Sequence, residues 1–202
     1  PYLGWDDTHM ELWYTLIGFD IAEESSALSD EDRLALTQYL LEILRGPEGV
    51  KQQTFLGALK EHAIRHNHAM LPALDAYYGG QYFGKYYGLQ ETKGWLRDAA
   101  AIFAGQESAS KTVCDATAYE STASFPLPVI YALAEPDYGI LSNGTAARGM
   151  DRLIGCIDNR MELAGNGDVY VAFPMPLLLM TNYHYRDGRY QWVIDRRRAL
   201  HG

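Results

Sequence analysis

Apolar residues in this chain recur every three or four positions across most of its length, and that period excludes most folds. Trp13, Leu16, Ile17 and Ile21 fall on one helical face. So do Leu36, Tyr39, Leu40, Ile43 and Leu44, then Phe55, Leu59 and Ala63, then Leu96, Ala100 and Phe103. The strict alternation of a half-buried strand is nearly absent, and "VYVAF", 169–173, is the only good strand candidate. Turn residues punctuate the periodic segments: Gly46-Pro47, the small-residue loop "GQESASKT", "AGNGD" and "RDG". Ser29 with Asp32 three residues on reads as a helix cap, and Pro72 suits a first helical turn. "STASFPLPVIYALAEP" reads as a helix with prolines near its start and another just past its end. "SNGTAARGMDRLIGCIDNRMEL" reads as one helix with Met150, Leu153, Ile154, Ile157 and Met161 on a face. "PLLLMTNYHY" and "YQWVIDRRRAL" read as two short helices about "RDG". The expectation is an all-α chain of helical hairpins, forming all or part of an (α/α) toroid, a bundle or a solenoid, with at most one short strand.

The 202 residues, 48% hydrophobic and 21% charged, are enough for a sizeable core and suit a single domain, 1–202, or part of one. No run of 18 apolar residues exists, so no membrane span is expected. A net charge of -9 argues against a general nucleic-acid binder and makes an anionic polymer an awkward partner unless cations cluster locally. The one dense cationic run, Arg196 to Arg198, reads as a last turn that complements a helix dipole. Cys114 and Cys156 lack paired metal-ligand spacings and read first as two free, buried thiols, with one disulfide between them as the alternative. The chain opens on Pro1 rather than Met, so it reads as a mature form or a piece of a longer protein, and the lack of a visible signal peptide says little about compartment.

Three histidines crowd one stretch: His62, His66 and His68. His62 and His66 are four apart and share a helix face, but "HAIRH" lacks the Glu of a zinc-protease helix and offers no third ligand. No metal and no other cofactor is expected. Asn67, His68 and Tyr119 form a set with a chemical reason. In a uronate polymer the C5 proton is very weakly acidic while the adjacent carboxylate is charged. An amide beside an imidazole can stabilise the anion formed when that proton leaves. A tyrosine with a lowered pKa can take the proton or protonate the leaving oxygen. "YYGGQYFGKYY", Tyr77 to Tyr87, holds six aromatics in eleven residues and reads equally as helix packing or as a surface for sugar rings. Lys85, Arg65, Arg148 and Arg160 read first as solvated charges, and Glu120 as the cap of the next helix.

"RHNHAMLPALDAYYGG" resembles the Asn-His helix start of the heparinase II/III-like and alginate-lyase group of polysaccharide lyases. "DATAYESTASFPLPVIYALAE" resembles that group's segment bearing the catalytic tyrosine, and "DVYVAFPMPLLLMTNYHYRDGRYQWVIDR" resembles its later toroid helices. The likeness runs over roughly residues 60 to 195. It implies an (α/α) toroid, a β-eliminating lyase and an anionic polysaccharide or oligosaccharide as partner. It also implies a secreted or periplasmic location, with no nucleic-acid or membrane partner. It implies that Asn67 and His68 bind the uronate carboxylate and that Tyr119 is acid, base or both; His68 can instead be the base, with Tyr119 the acid. Arg65, Tyr77, Tyr78, Glu120, His184 and Arg186 become candidates for substrate binding. "DATAYES" lacks the group's usual Gly after Asp, and nothing here reads as its β-sandwich. Two rival readings remain. One is a toroid glycoside hydrolase, with Asp115 and Glu120, or Asp6 and Asp7, as the carboxyl pair. The other is a non-catalytic helical scaffold or carbohydrate-binding domain.

Overall fold

The computed structural model describes residues 12–45, 67–105, 125–164 and 173–201, with residues 67–69 described by their backbone alone. The described residues are 74% helical, hold eight helices and contain no strand, so the chain is all-α. The helices are α1 (Leu12–Ala22), α2 (Asp30–Arg45), α3 (Asn67–Tyr87) and α4 (Thr92–Ala104), then α5 (Pro126–Ala134), α6 (Thr145–Gly155), α7 (Met175–Tyr185) and α8 (Gly188–His201). They belong to two compact units, one built from residues 1–64 with 68–102 and the other from 65–67 with 103–202. No helix among the described residues is long and apolar enough to cross a membrane.

In the first unit the expected periodicity becomes burial in part: Trp13, Leu16, Leu40 and Leu44 are buried, whereas Ile21, Leu36 and Tyr39 of the expected faces are exposed. Leu12, Leu16 and Phe19 of α1, Leu40 and Leu44 of α2, and Met70, Leu74 and Phe83 of α3 are almost wholly removed from solvent. Each such side chain contributes about 1.5–3 kcal/mol of transfer free energy. The cap at α2 forms as the sequence suggests: Asp32 N–H donates to Ser29 Oγ at 3.1 Å, and Ser29 N–H donates back to the Asp32 carboxylate at 3.1 Å. Gly79 and Gly80 let two neighbours approach α3. A Cβ at Gly79 would lie 2.6 Å from a Leu44 methyl, and one at Gly80 2.8 Å from Leu96 Cγ. Pro72 is the sixth residue of α3 rather than part of its first turn, so the helix is longer at its start than the proline alone suggests.

A long-range contact joins α1 to α3. The backbone N–H of Trp13, an orphan donor of the first turn of α1, donates to Asp75 Oδ1 at 2.9 Å. Asp75 is wholly buried, so a carboxyl group 62 residues away accepts from this N–H. Burial pushes its carboxyl well above the usual carboxylate range; the Trp13 N–H pulls the other way and is outweighed.

In the second unit α7 packs against α5, α6 and α8. The core gathers Val129, Ile140, Met150, Leu153, Leu177, Leu178, Tyr190 and Ile194. Tyr138 donates its hydroxyl to the Phe103 carbonyl at 2.8 Å, and Tyr185 donates to the Leu141 carbonyl at 2.7 Å. The helix expected to run on through Ile157 to Met161 stops at Gly155. Asp158 ends it. Its Oδ1 accepts from the backbone N–H of Arg160 and of Glu162, Met161 takes a φ of 61°, and Ile157 pairs with Leu163 across the turn. A short polar side chain that satisfies backbone donors locally competes with the helix, which is why apolar spacing misread this stretch. Phe173 carries no strand, and the rest of "VYVAF" lies outside the described residues. The basic end of α8 is engaged: Arg197 donates to the Met161 carbonyl at 2.8 Å and lies over the Phe173 ring. Cys156 is a half-buried free thiol, and Cys114 lies outside the described residues.

Candidate functional site

Two surface grooves hold the residues of interest, one in each unit. The first forms where α1 crosses the C-terminal half of α3 and has a volume of about 450 Å³. Two rows of α3, each with i, i+4 spacing, line it: Tyr77, Gln81 and Lys85, and beside them Tyr78, Tyr82 and Tyr86. Leu16, Ile17 and Asp20 of α1 close the other side.

The polar groups of this groove are tied to one another. Lys85 donates to the Tyr86 hydroxyl at 2.7 Å, with its ammonium 4.3 Å from that ring's centroid. The Tyr82 hydroxyl donates to the Glu23 carboxylate. Burial, then the Glu23 contact, pushes the Tyr82 pKa up, and burial pushes Tyr78 up as well. Neither phenol is therefore poised to lose its proton near neutral pH. Tyr77 and Tyr78 meet edge to face at 5.1 Å between centroids. Asp20, Gln81, Lys85 and Tyr86 are the exposed members.

The second groove, about 470 Å³, lies at the turn between α7 and α8 and is lined by Asn182, Tyr183, Arg186, Asp187, Gly188 and Gln191. Arg186 ends α7 in a left-handed conformation, φ 51°, a position that more often takes Gly or Asn. Asn182 donates to Gln191 at 2.7 Å and Gln191 donates to Asp195 at 2.8 Å, while Asn182 Oδ1 is buried with no partner. Asp187 is held by Arg189, and the Arg189 hydrogen bonds depress its pKa. Arg189 also reaches Asp151 at 3.1 Å. No ion pair among the described residues engages Arg186, and the Tyr183 ring beside it is 80% exposed.

The sequence candidates are distributed unevenly over this geometry. Tyr77 and Tyr78 line the first groove, Tyr77 as a buried wall and Tyr78 half exposed. Arg186 lines the second; His184 is exposed and packs edge-on against Tyr185. Asn67 and His68 belong to the first turn of α3, with their side chains outside the described residues. His62, Arg65, His66, Asp115, Tyr119 and Glu120, and Asp6 with Asp7, also lie outside them. Arg148 donates to Thr145, and Arg160 pairs with Asp158 and Glu162, as ordinary structural cations do. Sequence reasoning missed Asp20 and Gln81 in the first groove and Asn182, Tyr183 and Gln191 in the second, while Tyr82 and Tyr86 fall in the aromatic run it singled out. The first set had a signal, since Gln81 and Tyr82 repeat the Tyr77-Tyr78 pair one helical turn on. The second set had none, because the turn geometry assembles it. Among the described residues no group of three or more His, Cys, Asp or Glu side chains is placed to hold a metal ion. No protein-family model matches this chain, and no curated protein or solved structure matches it.

Proposed function

We propose that this chain is all or part of an (α/α)-toroid polysaccharide lyase that cleaves a uronate-containing glycan by β-elimination. The observation that carries the reading is Arg186. The segment resembling the lyase group's later helices presents an exposed guanidinium, engaged by no ion pair among the described residues, in a groove that the exposed Tyr183 also lines. A planar guanidinium binds a carboxylate through two parallel hydrogen bonds, and a tyrosine ring covers the C–H face of a sugar. The α3 helix supports the reading further by carrying Asn67 and His68 side by side in its first turn.

In this mechanism Asn67 and His68 hold the uronate carboxylate and stabilise the anion that forms as the C5 proton leaves. Tyr119 and His68 share the remaining work: one takes the C5 proton, and Tyr119 delivers a proton to the departing O4 oxygen. The C4–O4 bond breaks, and its electrons leave with the oxygen. The C5–H pair becomes the C4–C5 double bond. Conjugated to the carboxylate, that double bond absorbs in the near ultraviolet, and the product of hydrolysis does not.

The test is continuous absorbance on a panel of uronate polymers, with Tyr119→Phe and His68→Ala beside the parent protein. Each variant should lose at least about 10²-fold in turnover, as expected on removing a positioned acid, base or anion stabiliser. The double variant should lose little more than either single one, since groups acting as a unit are non-additive. Near-normal turnover by Tyr119→Phe, with a lowered melting temperature, would make Tyr119 a packing residue and overturn the mechanism. Release of new reducing ends with no rise in absorbance would replace the lyase by a hydrolase.

A further inference from the structure

We infer that the groove between α1 and α3 is a binding site for an uncharged sugar, with Tyr86 and Tyr78 as the ring platform and Asp20 and Gln81 as the hydroxyl readers. This inference does not depend on the elimination chemistry proposed above, because it concerns other residues and makes no use of catalysis.

Three observations converge on it. First, about 450 Å³ falls within the usual range for small-ligand clefts, about 300–1,000 Å³. Second, the wall is amphipathic in the way a pyranose requires. Tyr77, Tyr78, Tyr82 and Tyr86 with Leu16 and Ile17 supply apolar and aromatic surface. A carboxylate, an amide and an ammonium stand at the exposed edge, on Asp20, Gln81 and Lys85. Aromatic faces cover sugar C–H groups, while a carboxylate accepts from neighbouring hydroxyls and an amide does both.

Third, charge selects among sugars. Asp20 lines the groove; Glu23, bonded to Tyr82, stands outside the lining, yet both carboxylates act on the one ammonium, Lys85. That ammonium already donates to Tyr86 and lies over its ring. A uronate entering here would meet a net negative surface and a lysine already in use. A cationic amine would meet the four tyrosines as a cage but also the lysine within it, and like charges repel at close range. An uncharged ring meets neither penalty.

The test is ligand binding to the full chain. Isothermal titration and saturation-transfer NMR would compare three neutral trisaccharides (cellotriose, maltotriose and mannotriose) with trigalacturonate and with choline. At least one neutral trisaccharide should bind more tightly than trigalacturonate or choline. Asp20→Asn and Tyr86→Ala alter exposed side chains, so both variants should keep the parent melting curve. Tyr86→Ala should weaken the neutral ligand about three- to tenfold, the scale of one aromatic contact. Asp20→Asn should weaken it about tenfold, the scale of a charge-assisted hydrogen bond, and should improve trigalacturonate. Failure of all three neutral trisaccharides to bind overturns the inference. So does tighter binding of trigalacturonate that is lost in Lys85→Ala, which would make the groove an anion site. Tighter binding of choline would make it an amine cage, and neutral binding indifferent to both variants would place the sugar elsewhere. Loss of lyase activity in His68→Ala with neutral-sugar binding intact would leave this inference standing.

Discussion

Asp75→Asn tests the account of the first unit at its most exacting point. Asp75 is wholly buried, its Oδ1 caps Trp13, and its Oδ2 has no hydrogen-bond partner. Nothing compensates a full negative charge there, so the carboxyl stays protonated well above its ordinary pKa. The sign follows from proton counting. Below the ordinary Asp pKa of about 3.9 both states hold the proton, and this residue's stability contribution is fully present. Above it the unfolded chain releases the proton and the folded chain keeps it, so stability falls by about 1.4 kcal/mol per pH unit. The fall continues until pH passes the raised folded pKa, beyond which it is flat. Asn is the isostere of the neutral acid. It keeps an oxygen for Trp13 and cannot ionise, so its own contribution has no such slope. The depressed carboxyls of Asp32, Asp158 and Asp187 act with the opposite sign, but they are common to both proteins and cancel in the difference. Urea unfolding of parent and variant at half-unit steps from pH 4 to 7 should show the parent losing ground to Asp75→Asn by about 1.4 kcal/mol per unit at the acid end. Asp75→Ala, which leaves the Trp13 N–H unpaired, should cost about 1–3 kcal/mol at pH 4, near the foot of that slope. Parallel parent and Asn curves across the range would show that Asp75 ionises freely, and the buried-acid argument would fall.

Two further predictions probe local packing and capping. Gly149→Ala should lower the stability of the second unit, because the new Cβ would lie 2.3 Å from Phe125 Cζ in a buried contact; overpacking of this kind costs about 1–3 kcal/mol, more than the ~1 kcal/mol of helix propensity that Ala gains. Adding Phe125→Leu should recover part of that loss in the same thermal melt, and no recovery would show that the clash is not with the ring. Ser29→Ala should cost about 1 kcal/mol by removing the α2 cap, read as a shift in denaturant midpoint at constant slope; no shift would mean the cap is replaced by solvent.

The helices were legible because burial enforces their period. Leu16, Leu40, Phe103 and Leu153, picked out by spacing alone, are nearly inaccessible to solvent. Thr92–Ala104 appears with the expected bounds. Failures came where a side chain outside the apolar pattern decides the backbone. Asp158 ends a helix that apolar spacing would have continued to Met161. Asp75 reads from sequence as one more polar residue between Leu74 and Ala76, yet it is buried because it serves Trp13, 62 positions earlier. A cap supplied over that separation leaves no local trace. The same reason explains the grooves. The α3 groove is half legible, since i, i+4 rows on one helix are written in the sequence, whereas Asp20 and Ile17 reach it only through the packing of α1. The α7–α8 groove depends on the left-handed turn at Arg186, a conformation no residue preference there announces.

Net charge proved a poor guide to either groove, and the reason bears on function. A total of -9 suggests repulsion of any acidic polymer, but a ligand responds to the field within about a Debye length, roughly 8–10 Å in physiological salt. In the α7–α8 groove Asp187 is neutralised by Arg189, and Arg186 is left over. Around the α1–α3 groove the carboxylates of Asp20, in its lining, and of Glu23, bonded to Tyr82, outnumber Lys85. The tyrosine-rich run that first suggests sugar binding is therefore the less hospitable of the two for a uronate. The groove lined by the exposed Tyr183 and by Arg186, which no ion pair among the described residues engages, is the more hospitable. Aromatic content says that a ring can be covered; which ring is decided by the one or two charges left unpaired beside it. On that argument the anionic-glycan reading rests on Arg186, the neutral-sugar reading rests on Asp20, and each can fail without the other.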